Sequence, residues 1–242
     1  MTENESATNI EHAQRVREMF GKIATRYDLL NHLLSGNIDR RWRRLVAKAL
    51  ETTLSSGEAR VLDVACGTGD LSLTLLESGK AVIVGVDFCR PMLQIAKDKA
   101  SRHGSAVSLI EGDALQLPFA DQSFEATTIA FGLRNLASVE AGFRELFRVL
   151  KPGGRIAVLE FSRPRMPVVR SLFNVYFTKL LPLLGGWISG SKRAYEYLPA
   201  SVSRFPNQTE LASMMSSSGF DAVTFRNLSG GIAALHMGTR PN

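Results

Sequence analysis

Apolar positions follow two different periods along this chain. Val16, Met19, Phe20 and Ile23 recur at helical spacing, and Trp42, Leu45, Val46 and Leu50 do so again after a polar break, which predicts two amphipathic helices between Ile10 and Leu50. From Arg60 the pattern changes. Short β-branched runs at Val61–Val64, Lys80–Val86, Ala106–Glu111, Phe124–Phe131 and Arg155–Leu159 alternate with amphipathic stretches, the rhythm of a parallel sheet with helices on both faces. One intervening helix carries Phe143, Leu146, Phe147 and Leu150 as a stripe and stops at Lys151-Pro-Gly-Gly154, which cannot continue it. The rhythm pauses from Pro164 to about Ser201, resumes with a helix over Gln208–Ser218, and closes with runs at Ala222–Phe225 and Ile232–Met237. That last pair reads as an antiparallel addition to a seven-stranded, mostly parallel sheet. The expected organisation is an N-terminal helical element over 1–55 and one α/β domain over 56–242 carrying a helical insertion near 164–201.

The chemistry gathers at the strand ends. Arg60-Val-Leu-Asp63-Val-Ala-Cys-Gly67-Thr68-Gly69-Asp70 is strand, glycine turn and helix start, with Asp70 as expected N-cap. A dinucleotide turn needs a third glycine where this chain has Ser72, and Asp63 would repel a pyrophosphate; no lysine follows the glycines as a Walker turn requires. A carboxylate there suits a cation. Asp87 ends the second strand eighteen residues beyond Gly69, near the offset at which such folds set a carboxylate against ribose hydroxyls. Gly112-Asp113-Ala114 follows the third strand and offers an acid and a backbone N–H to an adenine. Three acids at three successive tips predict S-adenosyl-L-methionine, which carries a sulfonium and an ammonium but no phosphate, held by Asp63, Gly67, Gly69, Asp87, Asp113 and Ala114.

Composition narrows the setting more than the function. The formal charge of +6 permits attraction to anionic lipid or nucleic acid and establishes neither. Two cysteines, Cys66 and Cys89, make neither a disulfide framework nor a zinc spacing, so no metal is expected. Met1–Thr8 is polar and acidic, reads as a frayed tail and lacks the apolar run of a secretory signal; a cytoplasmic location is expected. Leu172–Ile188 is the most apolar late stretch, but Asn174, Lys179, Pro182, Gly185 and Gly186 interrupt it as a spanning helix.

With strands and acids placed, residues 58–240 resemble the class I S-adenosylmethionine-dependent methyltransferases. Tyr27-Asp28 with Asn31, Ser35 and Trp42, and Arg148–Arg155 running to Leu159-Glu160-Phe161-Ser162, are similar to the signatures of the UbiE/MenG-type family that C-methylates polyprenyl quinols in menaquinone and ubiquinone biosynthesis. Phe131-Gly-Leu-Arg-Asn135 and Tyr195-Glu-Tyr197-Leu198-Pro199 support the match. Asp39 departs from it, standing where the family usually shows His, and Ala65 replaces a glycine common in the wider superfamily's turn. The resemblance implies Thr68, Asp87, Asp113 and Ala114 as cofactor contacts and a polyprenyl quinol as acceptor, most directly demethylmenaquinol, with the methoxy-benzoquinol of the ubiquinone pathway or another lipophilic acceptor as alternatives.

Ring methylation asks the protein to align carbon and methyl and to stabilise a developing phenolate. Arg134 and Tyr195 are the catalytic candidates; the competing reading pairs Arg134 with Glu140 and buries the tyrosines in core. Tyr27 and Asn31 face the ligand if the N-terminal helices form a lid, while Arg40, Arg41, Arg43 and Arg44 read equally well as a solvated face. His32 and His236 are weaker candidates for a base, and Glu160 suits a buried hydrogen bond beneath the site. The segment Leu172–Trp187 is the expected prenyl groove, flanked by Arg163, Arg165 and Arg170, which predicts peripheral contact with a membrane. An oligomer is compatible with the sequence. No nucleic-acid partner is expected, because no aromatic residues interleave with the basic run apart from Trp42 and no Asn-Pro-Pro-Tyr motif follows the fourth strand.

Overall fold

A computed structural model describes residues 3–104, 107–164, 171 and 192–242. Its core is a seven-stranded sheet: β1 (Arg60–Val64), β2 (Val82–Asp87), β3 (Ser108–Glu111), β4 (Phe124–Ala130), β5 (Leu150–Phe161), β6 (Asp221–Leu228) and β7 (Ala233–Thr239), in the spatial order β3-β2-β1-β4-β5-β7-β6. Strands β1 to β5 pair in parallel, and β7 runs antiparallel to both β5 and β6, as the closing pair of runs predicted. Order reverses beside β1. Its neighbours β2 and β4 leave a crevice at their carboxyl ends, where open α/β sheets bind ligands.

Each face of the sheet has its own core. On one, Phe124, Phe143, Leu146, Ile156 and Phe220 pack together, with α6 (Val139–Val149) and α8 (Gln208–Ser217) laid across. Ser138 caps α6 by accepting from the Ala141 N–H at 3.1 Å, and Asn207 with Glu210 forms a reciprocal capping box on α8. On the other face, Trp42, Val46, Leu50, Val61, Leu75 and Ile83 are buried between the sheet, α2 (Ile38–Ala49), α3 (Glu51–Leu54) and α4 (Asp70–Glu77). A fully buried Leu or Phe contributes roughly 1.5–3 kcal/mol by leaving water. The remaining helices are α1 (Glu3–Leu34), α5 (Arg90–Arg102) and α7 (Lys192–Arg204).

Three elements depart from the sequence reading. Helix α1 begins at Glu3, not after a frayed tail. Strand β5 begins at Leu150, because Lys151–Gly154 continues extended and pairs through a register shift opposite Phe124–Ala126. Asp70 is the first residue of α4 and not its cap: Gly69, at φ +82°, is the cap. The proposed prenyl groove, Arg165, Arg170 and most of the insertion lie outside the described residues. Arg163 is described and donates to the Ser203 and Phe205 carbonyls at the end of α7.

Candidate active site

The β1 turn works because three alternate residues, 65, 67 and 69, take left-handed backbone conformations whose steric cost is avoided or distributed. Gly67 and Gly69 have φ of +55° and +82°, and a Cβ on Gly69 would meet the Ala96 Cβ at 3.0 Å. Ala65 also sits in the left-handed region, at φ +51°. Its methyl group is accommodated by Gly132, where any Cβ would lie 2.5 Å from that of Ala65. The superfamily glycine missing at 65 is thus matched by a glycine at 132, on the neighbouring strand's loop.

Below this turn lies a cavity of about 1250 Å³ lined by Asp63, Gly67, Thr68, Asp87, Asp113 and Ala114, with Phe88, Met92 and Leu115 as apolar wall. Gly69 does not line it; its part is to make the turn. Asp63 is buried, and both its oxygens are engaged: Ser72 Oγ donates to Oδ2 at 2.6 Å and Thr128 Oγ1 to Oδ1 at 2.9 Å. Burial raises its carboxyl to about 6 against those hydroxyl bonds. Ser72, standing where a dinucleotide turn has glycine, therefore orients an acid. Asp87 accepts the Gly67 and Cys89 N–H groups at 2.8 Å each, tying the turn to the tip of β2, and burial raises its pKa as well. Asp113 accepts the Leu115 N–H at 2.9 Å and is exposed on the rim. A buried acidic floor whose charge costs desolvation energy favours a cation; among the described residues no cation hydrogen-bonds Asp63 or Asp87, and Arg43 and Arg17 act on them only at longer range. The residues fit a positively charged aminoacyl nucleoside and do not fit a pyrophosphate.

Helix α1 roofs this cavity with Gln14, Arg17, Phe20 and Tyr27. An ion network holds it there. Lys99 Nζ on α5 lies 2.6 Å from both Asp28 on α1 and Asp70 on α4, and Thr68 Oγ1 in the glycine turn donates to Asp28 at 2.5 Å. Asp39 on α2 is bonded to Arg43, to Ser35 Oγ at 2.6 Å and to His32 Nδ1 at 2.8 Å; together these hold its carboxyl below its ordinary value against the cost of burial. His32 Nε2 completes the chain at 3.5 Å from Asp70. His32 is a strut of this network and not a free base. Arg43 was grouped with a solvated face; the structure buries it, and its spacing of four from Asp39 in phase with Trp42 and Val46 was the available signal. Arg40, Arg41 and Arg44 are exposed as that reading expected.

A second, smaller cavity adjoins the first. Phe20, Tyr27, Phe131, Phe161 and Tyr197 line it, together with Arg134, and Tyr27 borders both spaces. Arg134 is paired with Glu160, Nη1 to Oε1 at 2.7 Å, and not with Glu140; it also donates to the Phe131 carbonyl at 2.5 Å and lies 5.3 Å over the Phe161 ring. Its Nε is buried and has no partner among the described residues. Such an orphan N–H costs about 1–3 kcal/mol unless a ligand oxygen answers it. Glu160 serves the buried role anticipated for it, accepting the Phe161 N–H at 2.8 Å as well. Burial raises the Tyr27 phenol, so it stays neutral, and Asn31 bonds it.

Of the remaining candidates, Tyr195 lies on α7 but its side chain is outside the described residues. Tyr197, two residues on, donates to Asn135 Oδ1 at 3.2 Å and reaches the aromatic cavity. His236 is buried, its pKa lowered by desolvation, and its Nε2 faces the Gln208 carbonyl at 2.9 Å; it lines neither cavity.

A sheet of this order with β7 reversed, a glycine turn after β1 and acids at consecutive tips defines the class I S-adenosylmethionine-dependent methyltransferase fold. Solved structures agree: a possible histamine N-methyltransferase from Thermotoga maritima overlays with a TM-score of 0.64 at 20% identity, covering 93% of this chain and 99% of that one. A Haemonchus contortus phosphoethanolamine N-methyltransferase, in complex with S-adenosyl-L-methionine, overlays at 0.60 and 13% identity over 82% of this chain and 52% of that one. The chain belongs to the ubiE/COQ5 methyltransferase family, whose sequence profile matches residues 8–240. The demethylmenaquinone methyltransferase of Thermus thermophilus is 50% identical over 92% of this chain and 100% of its own length, and a ubiquinone/menaquinone biosynthesis C-methyltransferase from a Geobacter species is 46% identical over 95% and 98%.

Proposed function

We propose that the protein methylates a ring carbon of a polyprenyl quinol from S-adenosyl-L-methionine, and that demethylmenaquinol is the acceptor. The observation that carries this reading is the buried Arg134, which lines an aromatic cavity beside the acid-floored one and whose Nε has no partner among the described residues. When bound, S-adenosylmethionine supplies an electrophilic methyl group. Asp63 faces its ammonium and Asp87 the ribose hydroxyls, while Asp113 and the Ala114 N–H meet the adenine. Thr68 and the two glycines shape the turn around it.

The acceptor ring lies between Phe131, Phe161 and Tyr197, with one oxygen on Arg134. As the quinol hydroxyl loses its proton to solvent, negative charge grows on that oxygen and electron density moves to the adjacent carbon; methylation there would leave S-adenosylhomocysteine, and the ring carbon's own hydrogen then departs as a proton to solvent. Arg134, fixed by Glu160 and sheltered from water, stabilises this charge without reorganising, worth about 10²–10³ in rate. Tyr27, at the junction of the two spaces, keeps ring and methyl in line and excludes water. Tyr195, on α7, is the second catalytic candidate of this reading. Residues 1–55 act as a lid over a methyltransferase domain of 56–242, since α1 roofs the first cavity and walls the second. On this reading the enzyme meets its bilayer-dissolved acceptor from the cytoplasmic side as a peripheral protein; among the described residues no helix is long and apolar enough to cross a membrane.

Labelled S-adenosylmethionine supplied with reduced short-chain demethylmenaquinone gives labelled menaquinone if this reading holds. Transfer only to the methoxy-benzoquinol would move the acceptor to the ubiquinone pathway. Transfer to neither, with the methyl donor shown to bind, refutes a quinol acceptor.

A further inference from the structure

Helix α2 has two faces of opposite character. Asp39, Trp42, Arg43, Val46 and Ala47 are buried, and Asp39 and Arg43 wall the aromatic cavity. Around the other side run Arg40, Arg44 and Lys48, one turn apart, with Arg41 on their flank. All four are exposed, and none has an ion-pair partner among the described residues, although ion pairs hold the helix's inner side together. Four adjacent positive charges on one short helix repel one another. The fold retains four uncompensated charges there, on a chain whose net charge is only +6. Leu29, 62% exposed on α1, stands less than two turns before the Ser35–Asn37 connection into α2.

We propose that this face of α2 docks on an anionic phospholipid surface. Clustered Lys and Arg on an amphipathic helix gain about fivefold in partitioning per residue near an anionic leaflet, and an exposed leucine on the helix that leads into α2 adds apolar contact at the acyl boundary. RNA would use the same charges but gains nothing from Leu29, and the aromatic residue of this helix, Trp42, is turned inward, away from any base. Docking by α2 sets the cavity wall directly behind the helix against the bilayer, so an acceptor dissolved there reaches Arg134 with a short excursion through water. This consequence rests on the quinol reading; the docking itself does not.

The test is flotation of the full-length protein with phosphatidylcholine vesicles with and without phosphatidylglycerol and no quinone present. The wild type floats only with the anionic lipid and is released by salt. Replacing Arg40, Arg41, Arg44 and Lys48 together by Gln lowers the partition coefficient by roughly 100-fold or more. Replacing the three arginines by Lys leaves it within a few-fold, which separates charge from folding. In turnover assays the Gln variant matches wild type on a water-soluble, truncated acceptor and falls at least about tenfold on a long-chain acceptor in anionic vesicles. Indifference of the wild type to phosphatidylglycerol, equal flotation of the Gln variant, or retention of RNA without binding of vesicles overturns the proposal. Turnover without flotation removes the docking face and leaves the proposed function standing; flotation without turnover of any quinol does the reverse.

Discussion

The acid-floored cavity takes its polar groups from consecutive strand tips, Asp63, Asp87 and Asp113, each within a few residues of a glycine. The aromatic cavity takes its lining from α1, α2, the loop after β4, the end of β5 and α7, so that Tyr27 and Tyr197 meet across 170 residues of chain. The first is built by the sheet and inherits its rigidity. The second depends on helices laid over the sheet and held by ion pairs. On the proposed reading, the site for one invariant ligand is written into the fold's strand ends, whereas the proposed acceptor site is left to elements that can vary without disturbing the core.

Removing Arg134 alone tests the second cavity too crudely, because it leaves Glu160 buried and unpaired at a cost of about 3–5 kcal/mol. The double change Arg134→Gln with Glu160→Gln avoids that isolated charge. We expect kcat to fall about 10²–10³-fold while calorimetric affinity for S-adenosylhomocysteine stays within threefold, which keeps the two cavities separable. Coupled loss of both would show that the comparison is wrong.

Asp87→Ala attacks the first cavity. It strips the acceptor from two backbone N–H groups of the turn, and a loss of about 100-fold in affinity for S-adenosylhomocysteine is expected, at two bonds to a charged group. Unchanged binding would sink the role given to this carboxylate.

Asp63 carries a pH signature. Its carboxyl stands at about 6 in the fold against 3.8 outside it, so the folded state holds the proton longer. Its contribution to stability is therefore full below pH 3.8 and is lost as pH rises through about 6, roughly 3 kcal/mol in all. A bound cation reverses the preference, so ligand affinity rises through the same window. Denaturant titrations of wild type against Asp63→Asn from pH 4 to 8 isolate the effect; parallel curves would remove it.

Two smaller experiments probe how the cavities are joined. Gly132→Ala forces a methyl group against Ala65 and should cost about 1–3 kcal/mol, with much of it restored by adding Ala65→Gly; additive effects in thermal melts would deny that contact. Lys99→Met releases Asp28 and Asp70 from their shared cation, and the expected change is about 1–2 kcal/mol in lid closure, read as a several-fold weaker affinity for S-adenosylhomocysteine. A change in the aromatic cavity alone would place the network elsewhere in the mechanism.

Much of the first cavity was legible before any coordinates, because each of its acids sits at a fixed offset from a strand and a glycine, and those offsets are short. Arg134 was found by the same rule, since the residue after a strand end falls near the crevice. Its partner was not: Glu140 and Glu160 are both within helix or strand reach in sequence, and only the pairing of β4 with β5 brings Glu160 beneath the turn. Arg43 was misplaced among exposed arginines because periodicity gives the phase of a helix but not what its buried side meets.

Local chemistry along the chain determined the strand runs, the glycine turn, the acids at its rim and the family signatures, since each rests on neighbours within about twenty residues. Tertiary structure alone decided which carboxylate answers Arg134, that Ala65 is matched by Gly132, that Asp28, Lys99 and Asp70 close one network, and that α2 buries the Asp39–Arg43 pair while presenting four cations. Those outcomes depend on the distance between segments far apart in sequence, and side-chain periodicity carries no information about that distance.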